Sequence, residues 1–220
     1  MIPQIIHYCW FGGKPLPRSV KKCIASWRKY FPDWEIREWN ETNFNVFSHP
    51  YTKMAFKERR WAYLSDFVRL WAVELFGGIY FDTDVEVIRY PEDLLNTCTA
   101  WFGFEYPEYV ATGLGFAATP HHPAVIAMLR QYDRVNEITG CPQLNTDALV
   151  PFGLIKNGER QKVCDADILP REWLCPFDDL TGRMHITENT ISIHWYSKSP
   201  HGRWAYYRSK ISRIYHRLIW

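Results

Sequence analysis

Two aspartates one residue apart close an apolar run in the first half of the chain. Asp82 and Asp84 follow three apolar residues, and apolar residues resume at Val85 and Val87. In an extended chain, residues i and i+2 point the same way, so the two carboxylates would converge on one spot. Carboxylate oxygens suit Mg²⁺ or Mn²⁺, and a cation would offset the cost of unpaired charge at the end of a buried strand. We therefore predict a divalent metal site, with a solvated turn as the alternative.

The segment before this motif has helical periodicity and ends at Gly77 and Gly78. Its apolar residues cover most of the helix surface, which predicts a helix buried nearly all round. The remaining arc carries Ser65, Asp66 and Arg69, and the last two are neighbours at i and i+3. This pair is either a structural ion pair or a functional one, with a guanidinium for phosphate or sugar oxygens and a carboxylate for hydroxyls.

The rest of the chain alternates strand-like and helical segments, as in a parallel or mixed α/β sheet. We predict strands at Gln4 to Cys9, Trp34 to Glu38, Gly113 to Ala117 and Thr190 to Trp195. We predict helices over Arg18 to Tyr30, Lys53 to Phe76 and Pro123 to Val135, and from about Asp147 onward. In that reading His121 and His122 form a strand-to-helix turn, and Asn145 to Asp147 either caps the last helix or faces a ligand.

Length and composition indicate one soluble domain. The chain has 220 residues, of which 47% are apolar and 23% charged, and it lacks a membrane-spanning apolar run. Its first ten residues carry no basic region and no cleavage site, so we expect a cytosolic protein. The six cysteines form no C-x-x-C pair, which favours reduced buried thiols. A net charge of +2 gives no reason to expect nucleic acid as a partner.

The last 18 residues, Arg203 to Trp220, differ from the rest. They carry five Arg or Lys and no acid, and Tyr207, Ile211, Ile214 and Leu218 recur at helical spacing. We therefore divide the chain into a domain over residues 1–202 and a basic amphipathic helix over residues 203–220. That helix either contacts an anionic membrane peripherally or docks on its own domain.

Three ordered blocks, Ile2–Gly13, Ser65–Arg69 and Gly77–Asp84, resemble glycosyltransferase family 32. This family of DxD sugar transferases includes bacterial capsular and lipopolysaccharide enzymes and fungal Golgi mannosyltransferases, and its donor-side blocks resemble the glucosylating domain of large clostridial toxins. The resemblance implies a single GT-A-type α/β domain. Its mixed, mostly parallel sheet would be flanked by helices, with the nucleotide-sugar site at the C-terminal ends of strands. It also implies a nucleoside diphosphate sugar donor, with a UDP-sugar favoured, Mn²⁺ or Mg²⁺, and retention of anomeric configuration.

The resemblance also assigns roles residue by residue. Trp10 would stack on the nucleotide base, and the metal would be held by Asp84, Asp82 and His194. The catalytic set would be Asp66, Arg69, Asp82 and Asp84. The nucleotide-sugar site would be formed by His7, Trp10, Asp66, Arg69, Asp82 and Ser199. The family's C-terminal motif pairs a metal-binding His with Ser-Trp, and here Pro200 stands where that Trp is expected.

The sequence thus predicts a metal-dependent, retaining transferase that moves a hexose to a sugar hydroxyl of a polysaccharide or glycolipid. No carboxylate stands out as a nucleophile, so we favour attack from the leaving-group face over a double displacement. Two alternatives remain open. One is a nucleotidyltransferase or phosphohydrolase using the same aspartates, and the other is a non-catalytic sugar-binding protein.

Overall fold

The structure is a computed structural model that describes residues 1–197. In this range the chain alternates between strands and helices. The strands are β1 (Ile5–Cys9), β2 (Glu35–Trp39), β3 (Gly78–Tyr80), β4 (Val85–Val87), β5 (Ala100–Tyr106), β6 (Tyr109–Ala111), β7 (Phe116–Ala118), β8 (Gln161–Val163), β9 (Ala166–Leu169) and β10 (Ser192–His194). The helices are α1 (Arg18–Tyr30), α2 (Pro50–Lys57), α3 (Trp61–Phe76), α4 (Glu92–Thr97), α5 (Pro123–Tyr132), α6 (Cys141–Leu149) and α7 (Arg171–Leu174).

Eight strands form a mixed sheet in the order β2-β1-β3-β7-β5-β9-β8, with β6 paired to β5. Strand β1 is parallel to β2 and β3, β7 is antiparallel to β3 and β5, and β9 is parallel to β5. Five strands, β2, β1, β3, β5 and β9, therefore run in one direction. The prediction of a mixed, mostly parallel sheet flanked by helices is confirmed. Because β1, β3 and β5 share a direction, their C-terminal ends lie at the same edge of the sheet.

The apolar residues form a core on each face of the sheet. One cluster packs α2, α3, α5 and α6 against one face, and the other packs α1, α4 and α7 against the opposite face. Large aromatic side chains such as Trp27, Tyr51, Phe102 and Phe116 are fully buried in these clusters. Many of the aromatic side chains are therefore core residues. Strands β4 and β10 pair with each other in a separate two-stranded sheet.

Several predicted element bounds were wrong. The periodicity over Lys53 to Phe76 is two helices, because Arg59 adopts a left-handed φ of 54° between them. Residues Thr112–Leu114 form a 3₁₀ turn instead of the start of a strand, and β7 begins only after Gly115, whose φ is 109°. Helix α5 ends at Tyr132, before the predicted Val135.

The prediction that Asn145 to Asp147 caps the last helix was also wrong. These residues lie inside α6 and do not cap it, since the helix begins at Cys141 with Pro142 in its first turn. Asn145 and Thr146 are fully buried. The His121-His122 turn is confirmed, because the His122 side chain caps the N-terminus of α5.

Other predictions concern thiols, membranes and the C-terminal segment. All six cysteines are free thiols, and five of them are buried. Among the helices of residues 1–197, none combines the length and hydropathy that crossing a membrane requires. Residues 198–202, the predicted helix over residues 203–220 and the proposed boundary at residue 202 lie outside the described residues, so that division of the chain stays a prediction.

Candidate active site

A cavity of about 410 Å³ opens at the edge of the sheet where β1, β3 and β5 end. Cys9 and Trp10 line it at the end of β1, Asp82 lines it just after β3, and Glu105 lines it near the end of β5. Helix α3 contributes a wall that includes Asp66 and Arg69. The predicted position of the site at strand C-terminal ends therefore coincides with a cavity, and the predicted residues Trp10, Asp66, Arg69, Asp82, Asp84 and His194 all line it.

Helix α3 and the Asp-x-Asp segment meet at Arg69. Its Nη2 lies 2.9 Å from Asp66 Oδ1 and 3.0 Å from Asp82 Oδ1. The Tyr80 hydroxyl donates a second hydrogen bond to Asp82 Oδ1, at 2.8 Å, and the guanidinium lies over the Tyr80 ring. Arg69 thus bridges two carboxylates that are 16 residues apart in sequence. The predicted ion pair between Asp66 and Arg69 is therefore present, and Arg69 also forms an ion pair with Asp82 of the Asp-x-Asp motif.

Burial sets the electrostatics of this cluster. Removal from water raises the pKa of Asp66 to about 6, although the Arg69 charge opposes the shift. Burial also disfavours the charged form of Arg69, but Asp82, Tyr80 and Asp66 together outweigh it and hold the pKa of the guanidinium above its ordinary value. Arg69 Nε is buried and has no hydrogen-bond partner within the described part of the chain.

Asp84 faces a different set of partners. Its Oδ1 lies 3.2 Å from His194 Nε2, and its Oδ2 accepts hydrogen bonds from the backbone N–H and the hydroxyl of Ser197, at 2.8 and 2.9 Å. Burial would raise the pKa of Asp84, but His194 and the Ser197 hydrogen bonds outweigh it and hold that pKa well below the usual range. The Asp84 charge in turn holds the pKa of His194 above its usual range, against the effect of burial.

Strand pairing brings His194 to Asp84 across 110 positions of the sequence. Strand β10 is antiparallel to β4 with His194 opposite Val85, the residue after Asp84. The Trp195 N–H donates to the Asp84 carbonyl oxygen at 3.0 Å, which continues the ladder past the strand end. Position in this small sheet, and not proximity in sequence, therefore fixes the imidazole beside the carboxylate.

The route by which the two aspartates converge differs from the predicted one. The chain is not extended at this point, because it turns at Thr83 and Asp84 with the Val85 N–H bonded to the Asp82 carbonyl oxygen. Asp82 contacts α3, whereas Asp84 contacts β10 and Ser197. The turn nevertheless leaves one ligand atom each of Asp82, Asp84 and His194 within 4.8 Å of one another.

Two carboxylates and an imidazole are a suitable donor set for a hard or borderline divalent cation. Their ligand atoms are close enough to share one ion. A bound cation would replace the His194 proton that faces Asp84, since metal ligands bind deprotonated. The residues present therefore fit the metal that the sequence predicts.

Two other predicted site residues are placed differently. His7 is fully buried away from the cavity, where its Nε2 contacts the Gly77 carbonyl oxygen at 2.8 Å and its Nδ1 accepts from Trp39 at 3.1 Å. The structure does not bring His7 to the site, and its position is that of a core histidine. Ser199 lies outside the described residues.

The cavity also contains residues that the sequence did not single out. Glu105, Tyr106, Asp179 and Tyr196 line it together with Trp61. Burial raises the pKa of the Tyr196 hydroxyl, and its contacts with Cys175 and Glu105 add to the shift. A carboxylate that ends an apolar strand, the signal used for Asp82, is also present at Glu105 and could have identified it. No local pattern marks Asp179 or Tyr196.

A second layer supports Arg69 from the side of α6. Asn145 donates to the Thr112 hydroxyl at 3.1 Å, and Arg69 Nη1 lies 3.5 Å from the same oxygen. Gly113 follows directly, and a Cβ there would lie 2.8 Å from Asp82 Oδ2 and 3.2 Å from Arg69 Nη1. A larger residue at this position would displace Asp82 or Arg69, so the backbone can approach the Asp82–Arg69 ion pair this closely only with glycine.

Comparison with known proteins agrees with this geometry. Residues 17–101, which include α3 and the Asp-x-Asp motif, match the family described as "Glycosyltransferase sugar-binding region containing DXD motif". The resemblance to DXD glycosyltransferases is confirmed. Inositol phosphoceramide mannosyltransferases 1 and 3 of Schizosaccharomyces pombe are 25% and 29% identical to this chain over 61% and 60% of its length. The chain spans 44% and 38% of the length of these relatives.

Two solved glycosyltransferase structures support the fold alone. PaToxG glycosyltransferase superposes with a TM-score of 0.52 and 19% identity, covering 68% of each chain. A glycosyltransferase involved in the glycosylation of the major capsid of PBCV-1 superposes with a TM-score of 0.54 and 11% identity, covering 96% of this chain and all of the other. The GT-A-type fold predicted from the sequence is therefore confirmed.

Proposed function

We propose that this protein is a metal-dependent glycosyltransferase that moves a hexose from a nucleoside diphosphate sugar to a sugar hydroxyl. One observation carries the proposal: Asp82, Asp84 and His194 converge within 4.8 Å in a cavity that Arg69 also lines. A cation site beside a buried guanidinium suits a diphosphate, because both groups offset its negative charge.

In the reaction, the bond between the anomeric carbon and the β-phosphate oxygen breaks, and the diphosphate leaves with the bonding electrons. The acceptor hydroxyl oxygen forms the new bond to that carbon and loses its proton to the departing phosphate. Mn²⁺ or Mg²⁺ bound by Asp82, Asp84 and His194 would supply Lewis-acid stabilisation of the leaving group. Arg69 would donate to phosphate or sugar oxygens, and Asp66 would accept from a sugar hydroxyl. This same-face attack retains configuration and requires no enzyme nucleophile.

Trp10 is the proposed platform for the nucleotide base. It lines the cavity at the end of β1 and is half-buried, so one part of the indole is available for stacking. We favour a UDP-sugar as donor, and the mannosyltransferase relatives add GDP-mannose as the second donor to examine. As acceptor we propose a saccharide or a glycolipid, as in polysaccharide or lipopolysaccharide synthesis on the cytosolic side.

The first test is a screen of UDP-glucose, UDP-galactose and GDP-mannose for Mn²⁺-dependent release of the nucleoside diphosphate. We expect one donor to be hydrolysed slowly by the full chain, and Asp84→Asn to abolish that release. Asp33→Asn, which changes an exposed aspartate, is the matched control. Release of inorganic phosphate from nucleotides that carry no sugar would instead identify a phosphohydrolase. Absence of nucleotide-sugar binding by calorimetry with Mn²⁺ would identify a non-catalytic protein.

A further inference from the structure

We propose that Glu105 forms the binding subsite for an uncharged acceptor sugar, on the side of the Asp-x-Asp motif opposite Trp10. The proposal rests on the function proposed above. It assigns a role to the part of the cavity that neither the donor nor the metal occupies in that proposal. Glu105 and Tyr106 belong to the end of β5, outside residues 17–101 that match the DXD family.

The order of the strands determines which side this is. Strands β1, β3 and β5 point the same way, and β7 lies between β3 and β5. Because adjacent strands lie about 4.8 Å apart and β7 separates them, β5 lies about 10 Å from β3 across the sheet. Trp10, Asp82 and Glu105 therefore lie in a row. A donor with its base at Trp10 and its diphosphate at the aspartates directs its sugar towards Glu105.

The side chains around Glu105 suit a sugar ring. The carboxylate accepts hydrogen bonds only, and the hydroxyls of a pyranose supply donors at adjacent carbons. Tyr106 lines the same wall and offers an aromatic face. The Arg171 guanidinium covers one face of the Tyr106 ring, at 4.9 Å from its centre. Tyr196 lines the same cavity, where it contacts Glu105, and its hydroxyl lies 3.0 Å from Cys175 Sγ.

The charge of this wall selects against anionic acceptors. Within residues 1–197, Glu105 forms no ion pair with a basic side chain. The cationic side chains that line the cavity in this range, Arg69 and His194, are bound to Asp66, Asp82 and Asp84. A uronate or phosphorylated acceptor would place its negative charge close to the Glu105 carboxylate in a poorly solvated site. The repulsion between the two anions would exclude such an acceptor.

The experiment compares acceptors that differ in one group. The full chain, Mn²⁺ and the donor hydrolysed in the screen above are incubated with methyl α-glucoside, methyl α-mannoside or methyl α-glucuronide, and mass spectrometry measures the products alongside hydrolysis. We expect transfer to a neutral glycoside to exceed transfer to the glucuronide by at least about tenfold, a difference of 1.4 kcal/mol. Glu105→Gln should lower the ratio of transfer to hydrolysis by about tenfold and narrow the discrimination against the glucuronide.

Glu108→Gln is the matched control, because it makes the same change at an exposed position three residues along the hairpin. If Glu105→Gln does not fold by thermal melting, Glu105→Asp tests the same point. It keeps the charge and shortens the reach, so transfer should fall while the glucuronide stays excluded.

Three outcomes would overturn the proposal: equal use of glucuronide and neutral glycoside by the wild type, a parallel loss of transfer and hydrolysis in Glu105→Gln, or donor hydrolysis with no transfer to either neutral glycoside. Failure to bind any donor would instead refute the proposed function itself.

Discussion

Arg69 Nη2 lies 3.0 Å from Asp82 Oδ1 and 2.9 Å from Asp66 Oδ1, so one guanidinium joins the middle of helix α3 to the Asp-x-Asp motif. The Arg69 side chain is only 3% exposed. An ion cluster this deeply buried is costly to form and costly to break on one side. Its position in the wall of the cavity explains why such a cluster is useful: it holds charge in a fixed orientation where a diphosphate sugar is proposed to bind.

The fork of Arg69 matters as well as its charge. We expect Arg69→Lys to lower kcat/KM for transfer by about 10- to 100-fold, because a point charge cannot contact two carboxylates and a ligand oxygen at once. Steady-state kinetics and donor titration calorimetry measure the effect. Arg60→Lys, at an exposed position before α3, is the control. Normal turnover combined with a much lower melting temperature would show that the cluster is only structural.

Asp84 is expected to bind the cation directly. Asp84→Asn should weaken Mn²⁺ binding, followed by the electron paramagnetic resonance signal of free Mn²⁺, and should lower transfer by about 100-fold or more. The amide oxygen keeps hydrogen bonds from Ser197, but the variant loses the buried ion pair with His194, so the free energy of unfolding should fall by about 3 kcal/mol. Wild-type Mn²⁺ affinity in this variant would contradict the assignment.

Gly113 tests how closely the backbone must approach the ion cluster. In Gly113→Ala the new methyl group would lie 2.8 Å from Asp82 Oδ2, so the carboxylate must shift. Because small displacements in a reacting site are costly, we expect kcat/KM to fall by about 10- to 100-fold. Gly140→Ala is the control, since its Cβ would meet nothing closer than 3.8 Å. Equal activities of the two variants would mean that Asp82 tolerates repositioning.

His7 should make the stability of the fold depend on pH. Burial lowers the pKa of His7 from 6.5 to about 4, although the hydrogen bond to Gly77 opposes the shift. Protonation would place a proton on Nδ1, which accepts from Trp39 in the neutral ring. At His7 the unfolded chain binds more protons than the folded one in this pH range, so the stabilisation from this group is complete above pH 6.5 and is lost as pH falls towards 4.

At about 1.4 kcal/mol per pKa unit, this loss amounts to roughly 3 kcal/mol. Urea unfolding of the wild type and of His7→Gln from neutral pH down to pH 4 measures it, and the variant should lose less stability over that range. His121→Gln, at an exposed histidine, is the control. A wild-type pH dependence that persists unchanged in His7→Gln would refute the prediction.

The basic segment over residues 203–220 is predicted to attach the protein peripherally to anionic membranes. Each Lys or Arg near such a surface contributes roughly 1 kcal/mol, and salt screens it. We expect the full chain to sediment with phosphatidylserine vesicles at low salt, and replacement of Arg208, Lys210, Arg213 and Arg217 by Gln to abolish this. Neutral vesicles are the control. Equal sedimentation of the two proteins would assign the segment to packing on its own domain.

Much of the fold follows from local sequence signals. Helix α1 begins and ends where its apolar stripe predicts, and Gly77, with a φ of 64°, ends α3 before β3. The break between α2 and α3 was missed because it depends on one left-handed residue, Arg59, in a run of four charged residues that has no apolar periodicity to interrupt. Helix α6 was misplaced because Asn145 and Thr146, which read as capping residues, are buried inside it.

The candidate site divides in the same way. Asp66, Arg69, Asp82 and Asp84 could be found from the sequence because helical spacing and a strand end place charged groups next to each other within 19 residues. Local patterns in the sequence do not relate His194 to Asp84, since the pairing of β10 with β4 is a long-range contact, and only the family resemblance named both as metal ligands. Glu105 lines the cavity because the strand order places β5 two strand spacings from β3, a relationship that no local pattern shows. Local periodicity thus predicted which charged residues are neighbours within one segment. The order and pairing of the strands decided which segments bring their charged residues into one cavity, because those contacts join distant parts of the chain.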